Sequence, residues 1–353
     1  MIPYPLLARF LSVLTASSLM QIAGSNDQTH DAAVTYFKII MGGTIFNVIS
    51  LVINAAQRGS GNTRIAMTTN VTSSIVNIIF NYLLIGVNVG FPRLGIAGAA
   101  MATVLGTVVA CFMSIHSLFH KGSFVNFHWM KKLRFRPDKD ACGKIVKLGS
   151  NMFVENIAMR VGFLATALLA ARLGTDAFAA HNVGMSLLSL GFSFADGMQV
   201  AAVALSGRAL GAGEKEMAMQ YGRICQRIGL GISILLSLIY LIGGRWFFGL
   251  YFQEEHIVEM GVLICRFTTM IVILQISQII YGGCLRAGGD IRYTLMASLI
   301  SVTLIRTVVT VVFTLVFPLG LTGIWLGILS DQLTRFCFMM TRFRKGKWVN
   351  IAM

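Results

Sequence analysis

Arg58-Gly59-Ser60-Gly61-Asn62-Thr63-Arg64 returns 228 positions later as Arg286-Ala287-Gly288-Gly289-Asp290-Ile291-Arg292. A second pair follows in the same order. Phe91-Pro92-Arg93-Leu94-Gly95-Ile96-Ala97-Gly98 matches Phe317-Pro318-Leu319-Gly320-Leu321-Thr322-Gly323, at offsets of 226 falling to 225. Two motif pairs at nearly constant spacing mark an internal repeat. The segments between them are apolar and long. A bilayer core of about 30 Å is crossed by roughly 20 apolar residues in a helix. Ten segments meet that length: 4–22, 32–57, 64–88, 95–119, 145–172, 177–205, 223–250, 257–285, 291–317 and 319–343. The fold class is therefore all-α and polytopic, with ten transmembrane helices in two parallel pseudo-repeats.

Composition agrees. Hydrophobic residues make up 56% of the 353 positions and charged residues only 12%, with a mean hydropathy of +0.74. A soluble domain carries about 25% charged residues to keep its surface wet. The net charge of +15 does not imply nucleic acid, because the basic residues sit in short segments between apolar runs and no finger, basic helix or aromatic RNA motif is present. They face anionic lipid instead. The six cysteines are scattered without a CxxC pair and read as small apolar packing residues. Residues 1–10 hold two prolines, and no signal-peptide cleavage site follows.

Lys and Arg set the topology. Even-numbered connections and the tail carry 20 of them: Arg58 and Arg64, eight from Lys121 to Lys147, Arg208, Lys215, Arg223, Arg227, Arg286, Arg292, Arg342, Arg344, Lys345 and Lys347. Odd-numbered connections carry three, Arg93, Arg172 and Arg245. That bias places both ends of this chain in the cytoplasm. The one long polar stretch, 120–144, reads as a basic linker between an N-lobe (1–119) and a C-lobe (145–343), with a tail at 344–353. The second half begins near 145, so its partner would begin some eighty residues before Met1. By this reading the chain holds four plus six helices of a twelve-helix fold.

Four stretches, taken in order, resemble the multidrug and toxic compound extrusion (MATE) family. They are the turn of Arg58, Gly59, Gly61 and Arg64 with its partner of Arg286, Gly289 and Arg292; Asn81-Tyr82-Leu83-Leu84 leading to Phe91-Pro92 and Gly95-x-x-Gly98-Ala99-Ala100; Leu173 to His181; and Gly207-Arg208-Ala209-Leu210-Gly211-Ala212-Gly213. The resemblance covers essentially the whole chain, from the family's third helix to its twelfth. It implies two six-helix lobes and exchange of Na⁺ or H⁺ for organic cations. The family usually has Gln at the position of Arg208. Its first helix, which carries an acidic N-lobe cation site in many members, has no counterpart here. The glycine turns lack the strand and the Gly-Lys-Ser/Thr ending of a phosphate cradle, so ATP binding is rejected. Their arginines read as anchors of helix ends.

Charges within spans are functional candidates, since one at the bilayer centre costs about 2.5–3.5 kcal/mol to insert. Glu155 leads: the resemblance places a carboxylate or polar residue on this helix, facing the C-lobe cavity, where it would bind H⁺ or Na⁺ and release it to a cationic drug. The alternative is a Glu155–Arg160 ion pair. Asp196 is the second cation-coupling candidate, open equally to helix packing or gating. Asn151, Arg160, Asn182, Gln199, Gln275 and Gln278 are candidate cavity-lining residues, though each neutral amide suits an interhelical hydrogen bond as well. His181 reads as a capping or surface residue, and Asp331 and Arg335, four apart, as mutual partners. Met and Phe either face lipid or neighbouring helices, or line a promiscuous cavity.

The resulting expectation is a secondary active exporter of cationic drugs or other xenobiotics, working by alternating access. It is not an enzyme, needs no cofactor beyond Na⁺ or H⁺, and sits as a monomer in the cell membrane. Its partners are lipid and small molecules. A lipid-linked oligosaccharide flippase of the same superfamily would need a cavity ringed by bases, whereas the intramembrane bases expected are only Arg160, Arg266 and Arg306. A membrane-embedded transferase would need acidic DxxD clusters in cytoplasmic loops, and none occurs. The remaining alternative is a truncated, inactive transporter.

Overall fold

The structure, a computed structural model, describes residues 16–17, 27–86, 94–119, 124–128 and 138–351. The expected span 4–22 lies almost wholly outside these residues, as do Phe91, Pro92 and Arg93 of the second motif and most of the 120–144 stretch. The chain divides into two compact units, Met1–Arg136 and Pro137–Met353. Among the described residues there is no strand.

The first unit contains α1 (Asp27–Gly59), α2 (Thr63–Ile85) and α3 (Gly95–Ser117). The α3 helix packs on both others. A buried chain of side-chain hydrogen bonds joins them: Ser50 and Ser114 hydroxyls at 3.0 Å, Asn54 Nδ2 to Thr69 Oγ1 at 3.0 Å, and Gln57 Nε2 to Ser117 Oγ at 3.3 Å. In a low-dielectric interior such groups must satisfy one another.

The second unit contains α4 (Lys139–Arg172), α5 (Thr175–Gly211), α6 (Lys215–Gly249), α7 (Glu255–Ala287), α8 (Ile291–Val316) and α9 (Leu321–Arg344). The α7 helix is central, packed on α5, α6 and α9, and its face is buried from Ile257 to Ala287. Small residues let α5 approach it: a Cβ on Gly184 would stand 2.5 Å from Ile264 Cγ2, and one on Gly283 would stand 2.8 Å from Gln199 Cγ. The α4 helix packs chiefly against α8. Seven of the nine long helices described are apolar and long enough to cross a membrane, namely α1 and α3 to α8. The α2 and α9 helices are more polar, with Asn70, Asn77 and Asn81 on one and Asp331, Arg335, Arg342 and Arg344 on the other.

The repeated turns have one backbone solution. The amide of Asn62 donates to the Gln57 carbonyl at 2.9 Å and that of Gly61 to Arg58 at 3.0 Å; Asp290 to Leu285 at 2.9 Å and Gly289 to Arg286 at 3.0 Å repeat both bonds. This is the six-to-one, five-to-two helix stop, and it requires positive φ at its glycine. Gly61 has φ +92° and Gly289 φ +81°. The 207–213 turn is a third copy, with Glu214 donating to Ala209 at 2.9 Å and Gly213 at φ +80°. In the second unit this turn, the 288–290 turn and the tail meet at one end: Lys215 Nζ donates to Asn350 Oδ1 at 2.8 Å, Arg342 Nε to Asp290 Oδ2 at 2.6 Å, and Trp348 is buried against Gly288. The opposite end holds the Arg245–Glu255 and Asp176–His256 pairs.

Sequence boundaries shift where charge misleads. The α4 helix begins at Lys139, six residues before the expected span, and Arg223 and Arg227 lie inside α6 rather than in a connection.

Candidate functional site: a polar cavity in the second unit

A cavity of about 430 Å³ lies in the second unit. The α4 helix contributes Met152, Glu155, Asn156, Met159, Arg160 and Phe163; α5 contributes Phe192, Asp196 and Gln199; α7 contributes Gln278, Ile279 and Arg286; α8 gives Ser298 and α9 gives Arg335. Glu155, Met159 and Phe163 recur every four residues, so one face of α4 forms the wall. The lining mixes flexible thioethers and aromatic rings with five charged side chains.

Glu155 is the buried carboxylate of this lining, 4% exposed. Its Oε1 accepts from Arg286 Nη2 at 3.2 Å and from Ser298 Oγ at 2.7 Å. The Glu155–Arg160 pair is thereby corrected. Five residues on an α-helix turn about 140° around the axis, which leaves Arg160 exposed on another part of the wall. The reading of Arg286 as a mere anchor is corrected too. It closes α7 and initiates the 286–289 stop, while its guanidinium reaches the cavity carboxylate.

Asp196 opens onto the same cavity and has no hydrogen bond among the described residues. Gln199 and Gln278 line the wall as expected, Gln278 donating to Gln332 Oε1 at 3.4 Å. Three other amides do not line it. Asn151 is half-buried on α4, and Asn182 is exposed on α5, its carbonyl accepting from Ser186. Gln275 is fully buried beside Gly191, and neither atom of its amide finds a partner. Of the turn residues, Arg64 borders a second pocket in the first unit, Arg292 is exposed, and Gly207 and Gly211 border a groove beside Lys215 and Asn350. His181 is not a surface residue: it is 2% exposed and meets Trp325 edge-on at 5.8 Å.

Behind the wall lies a charge cluster that sequence reading found only in part. Asp331 does pair with Arg335, at 3.0 Å, but also with Arg306, at 2.7 Å. Arg306 is 1% exposed and Asp331 fully buried, and the guanidinium of Arg306 lies 4.6 Å from the Phe163 ring. Two stretches of α8, Leu299–Arg306 and Val312–Val316, are π-helical. An i→i+5 turn takes more residues than an α-turn. Ser301 and Arg306, five apart, therefore both turn inward, and Arg335 Nε donates to Ser301 Oγ at 3.3 Å. Hydrogen bonds thus connect cavity to cluster: Arg286 to Glu155 to Ser298, whose backbone carbonyl accepts from Ser301 Oγ, and Ser301 to Arg335, Asp331 and Arg306. The bases on the wall are Arg160, Arg286 and Arg335; Arg266 and Arg306 lie within α7 and α8 and do not line it.

A family model described as MatE matches residues 5–83 and 152–312. A probable multidrug resistance protein NorM of Thermotoga maritima is 27% identical over 321 residues, covering 91% of this chain and 68% of that protein. An uncharacterized transporter YisQ of Bacillus subtilis is 24% identical over 344 residues, covering 96% and 74%. Among solved structures, one described as the outward-facing conformation of a multidrug resistance MATE family transporter of the MOP superfamily superposes with a TM-score of 0.88 at 20% identity, over 98% of this chain and 76% of that one. A MOP superfamily transporter from Pyrococcus furiosus Vc1, described as having a binding pocket of reverse polarity, matches with a TM-score of 0.88 at 18% identity, over 99% and 77%. With two thirds of its residues in the matched family segments and its helices in the same arrangement of fold, the chain belongs to the MatE family of multidrug efflux transporters, as a multi-pass membrane protein.

Proposed function

We propose that this protein is a secondary active exporter that exchanges H⁺ or Na⁺ for small organic cations by alternating access, with Glu155 as the coupling carboxylate. One observation carries the reading. A buried carboxylate stands on the wall of a cavity whose lining also includes the flexible and aromatic side chains Met152, Met159, Phe163 and Phe192. Thioethers and aromatic rings repack around varied apolar cations, and one carboxylate cannot hold a coupling ion and a cationic substrate at once. Each ligand biases the equilibrium by its differential affinity for the two states. Asp196 would serve as a second anionic contact. The basic turns gathered at one end of the second unit support a cell-membrane orientation with both ends of the chain cytoplasmic. The protein would act as a monomer, without a cofactor and with lipid as its only standing partner.

Three guanidiniums on the wall favour one second reading, a cargo carrying a phosphate or other acid group. Proteoliposome transport separates the two. Ethidium movement driven by an ion gradient, lost in Glu155→Gln and weakened in Asp196→Asn, is the expected result. Transport of an anionic dye that depends on Arg160 and ignores Glu155→Gln would establish the second reading instead.

A further inference from the structure

We infer that Arg286 is a tethered cation that occupies the coupling site in place of a metal ion, so that the ion exchanged at Glu155 is H⁺ and not Na⁺. This rests on the reading of Glu155 as the coupling carboxylate. Arg286 Nη2 lies 3.2 Å from Glu155 Oε1, and Ser298 Oγ lies 2.7 Å from the same atom. The site therefore already holds a positive charge and a hydroxyl donor.

A Na⁺ ion entering here must displace a guanidinium whose effective concentration is fixed by its own backbone, of the order of millimolar or more. It must also replace its hydration shell with oxygens. The wall around Glu155 offers guanidiniums instead: Arg286 from α7, Arg335 from α9 and Arg160 from α4 itself. The α8 helix presents Ser298, while its Arg306 is held by Asp331 of α9. Asp196 of α5 is the one other carboxylate on the wall. A metal cation at Glu155 would meet the Arg286 guanidinium as a like charge at the same carboxylate oxygen, with Arg160 and Arg335 on the same wall and Arg335 already held by Asp331.

A proton needs no coordination shell. Bound to a carboxylate oxygen, it leaves a neutral carboxyl group, and the Arg286 pair loses its attraction. An organic cation can also displace Arg286, because burial of its apolar surface against Met159, Phe163 and Phe192 adds to the charge contact. Protonation and substrate binding then share one consequence, release of Arg286 from Glu155 in the middle of α4, and they exclude each other because both consume the same carboxylate.

Thermal unfolding of the purified 353-residue chain in detergent, with Na⁺ exchanged for choline at about 100 mM, reads the metal directly. The native protein should unfold at the same temperature in both salts. Arg286→Gln should gain a Na⁺-dependent rise of about 2 °C or more, and the double variant with Glu155→Gln should lose it. A saturable Na⁺ effect on the native protein that vanishes in Glu155→Gln overturns the inference; so does an Arg286→Gln protein that folds and stays indifferent to Na⁺. Should Arg286→Gln not fold, ethidium binding to the native chain decides. Its affinity should fall on acidification and ignore the swap of Na⁺ for choline, and the reverse pattern overturns the inference. Ethidium that fails to bind, or binds Glu155→Gln unchanged, removes the reading of the coupling site itself, whatever Na⁺ does.

Discussion

At the residue scale, the second unit holds its charges in two ways. Glu155 sits at a cavity wall, where partners can exchange. The Arg306–Asp331–Arg335 triad is closed, with Asp331 inaccessible and engaged on both oxygens. Removing one member of a buried ion group leaves the others uncompensated, which costs about 3–5 kcal/mol, whereas replacing all of them with apolar residues of similar volume is often neutral or stabilising. Asp331→Asn should therefore lower the unfolding temperature sharply. The triple variant Arg306→Met, Asp331→Leu, Arg335→Met should recover it while losing transport, because Arg335 also lines the cavity. A triple variant as unstable as Asp331→Asn would mean that the triad contributes net stability. Glu155 was legible in the sequence because an isolated acid inside an apolar run is conspicuous. Its partner was not. Arg286 lies 131 positions away in a motif that reads as a turn, and Ser298 carries no sequence signal at all.

At the element scale, the repeat was legible because a glycine-dependent helix stop needs a fixed residue order, and a backbone at positive φ tolerates few alternatives. Gly289→Ala should destabilise by about 1–2 kcal/mol, since an L side chain at φ +81° meets its own carbonyl. Gly59→Ala, at a site where a Cβ has open space, should cost far less. Comparing the two unfolding midpoints checks this, and equal effects would contradict it. Close packing of α5 makes a harsher demand. Gly184→Leu would drive a side chain into Ile264 and Trp325, at an overpacking cost of about 1–3 kcal/mol. The π-helical turns of α8 were not legible, because apolar runs look alike whether a turn closes at i−4 or i−5. They are what bring Arg306 inward. His181 was misread for a related reason: sequence distance from a turn does not reveal which face of a helix a neighbour will cover, and here Trp325 of α9 covers it.

At the scale of the whole molecule, the polytopic all-α reading follows from apolar length, which is additive along the chain, and seven of the described helices meet it. The cavity is not additive. It draws on five helices, and three of its six expected lining residues fall elsewhere because helix rotation about its own axis leaves no trace in hydropathy. Asn182, Gln275 and Asn151 show this, each polar and each turned from the cavity. The proposed exchange depends on the cavity and on competition at one carboxylate. Ethidium binding should release protons, up to about one per molecule bound, because a carboxyl group that carries H⁺ must give it up to receive a cation. Calorimetric titration in two buffers of different ionisation enthalpy counts them. Proton release by the native chain and none by Glu155→Gln is the predicted result; ethidium binding with the same proton count in both proteins would contradict the account.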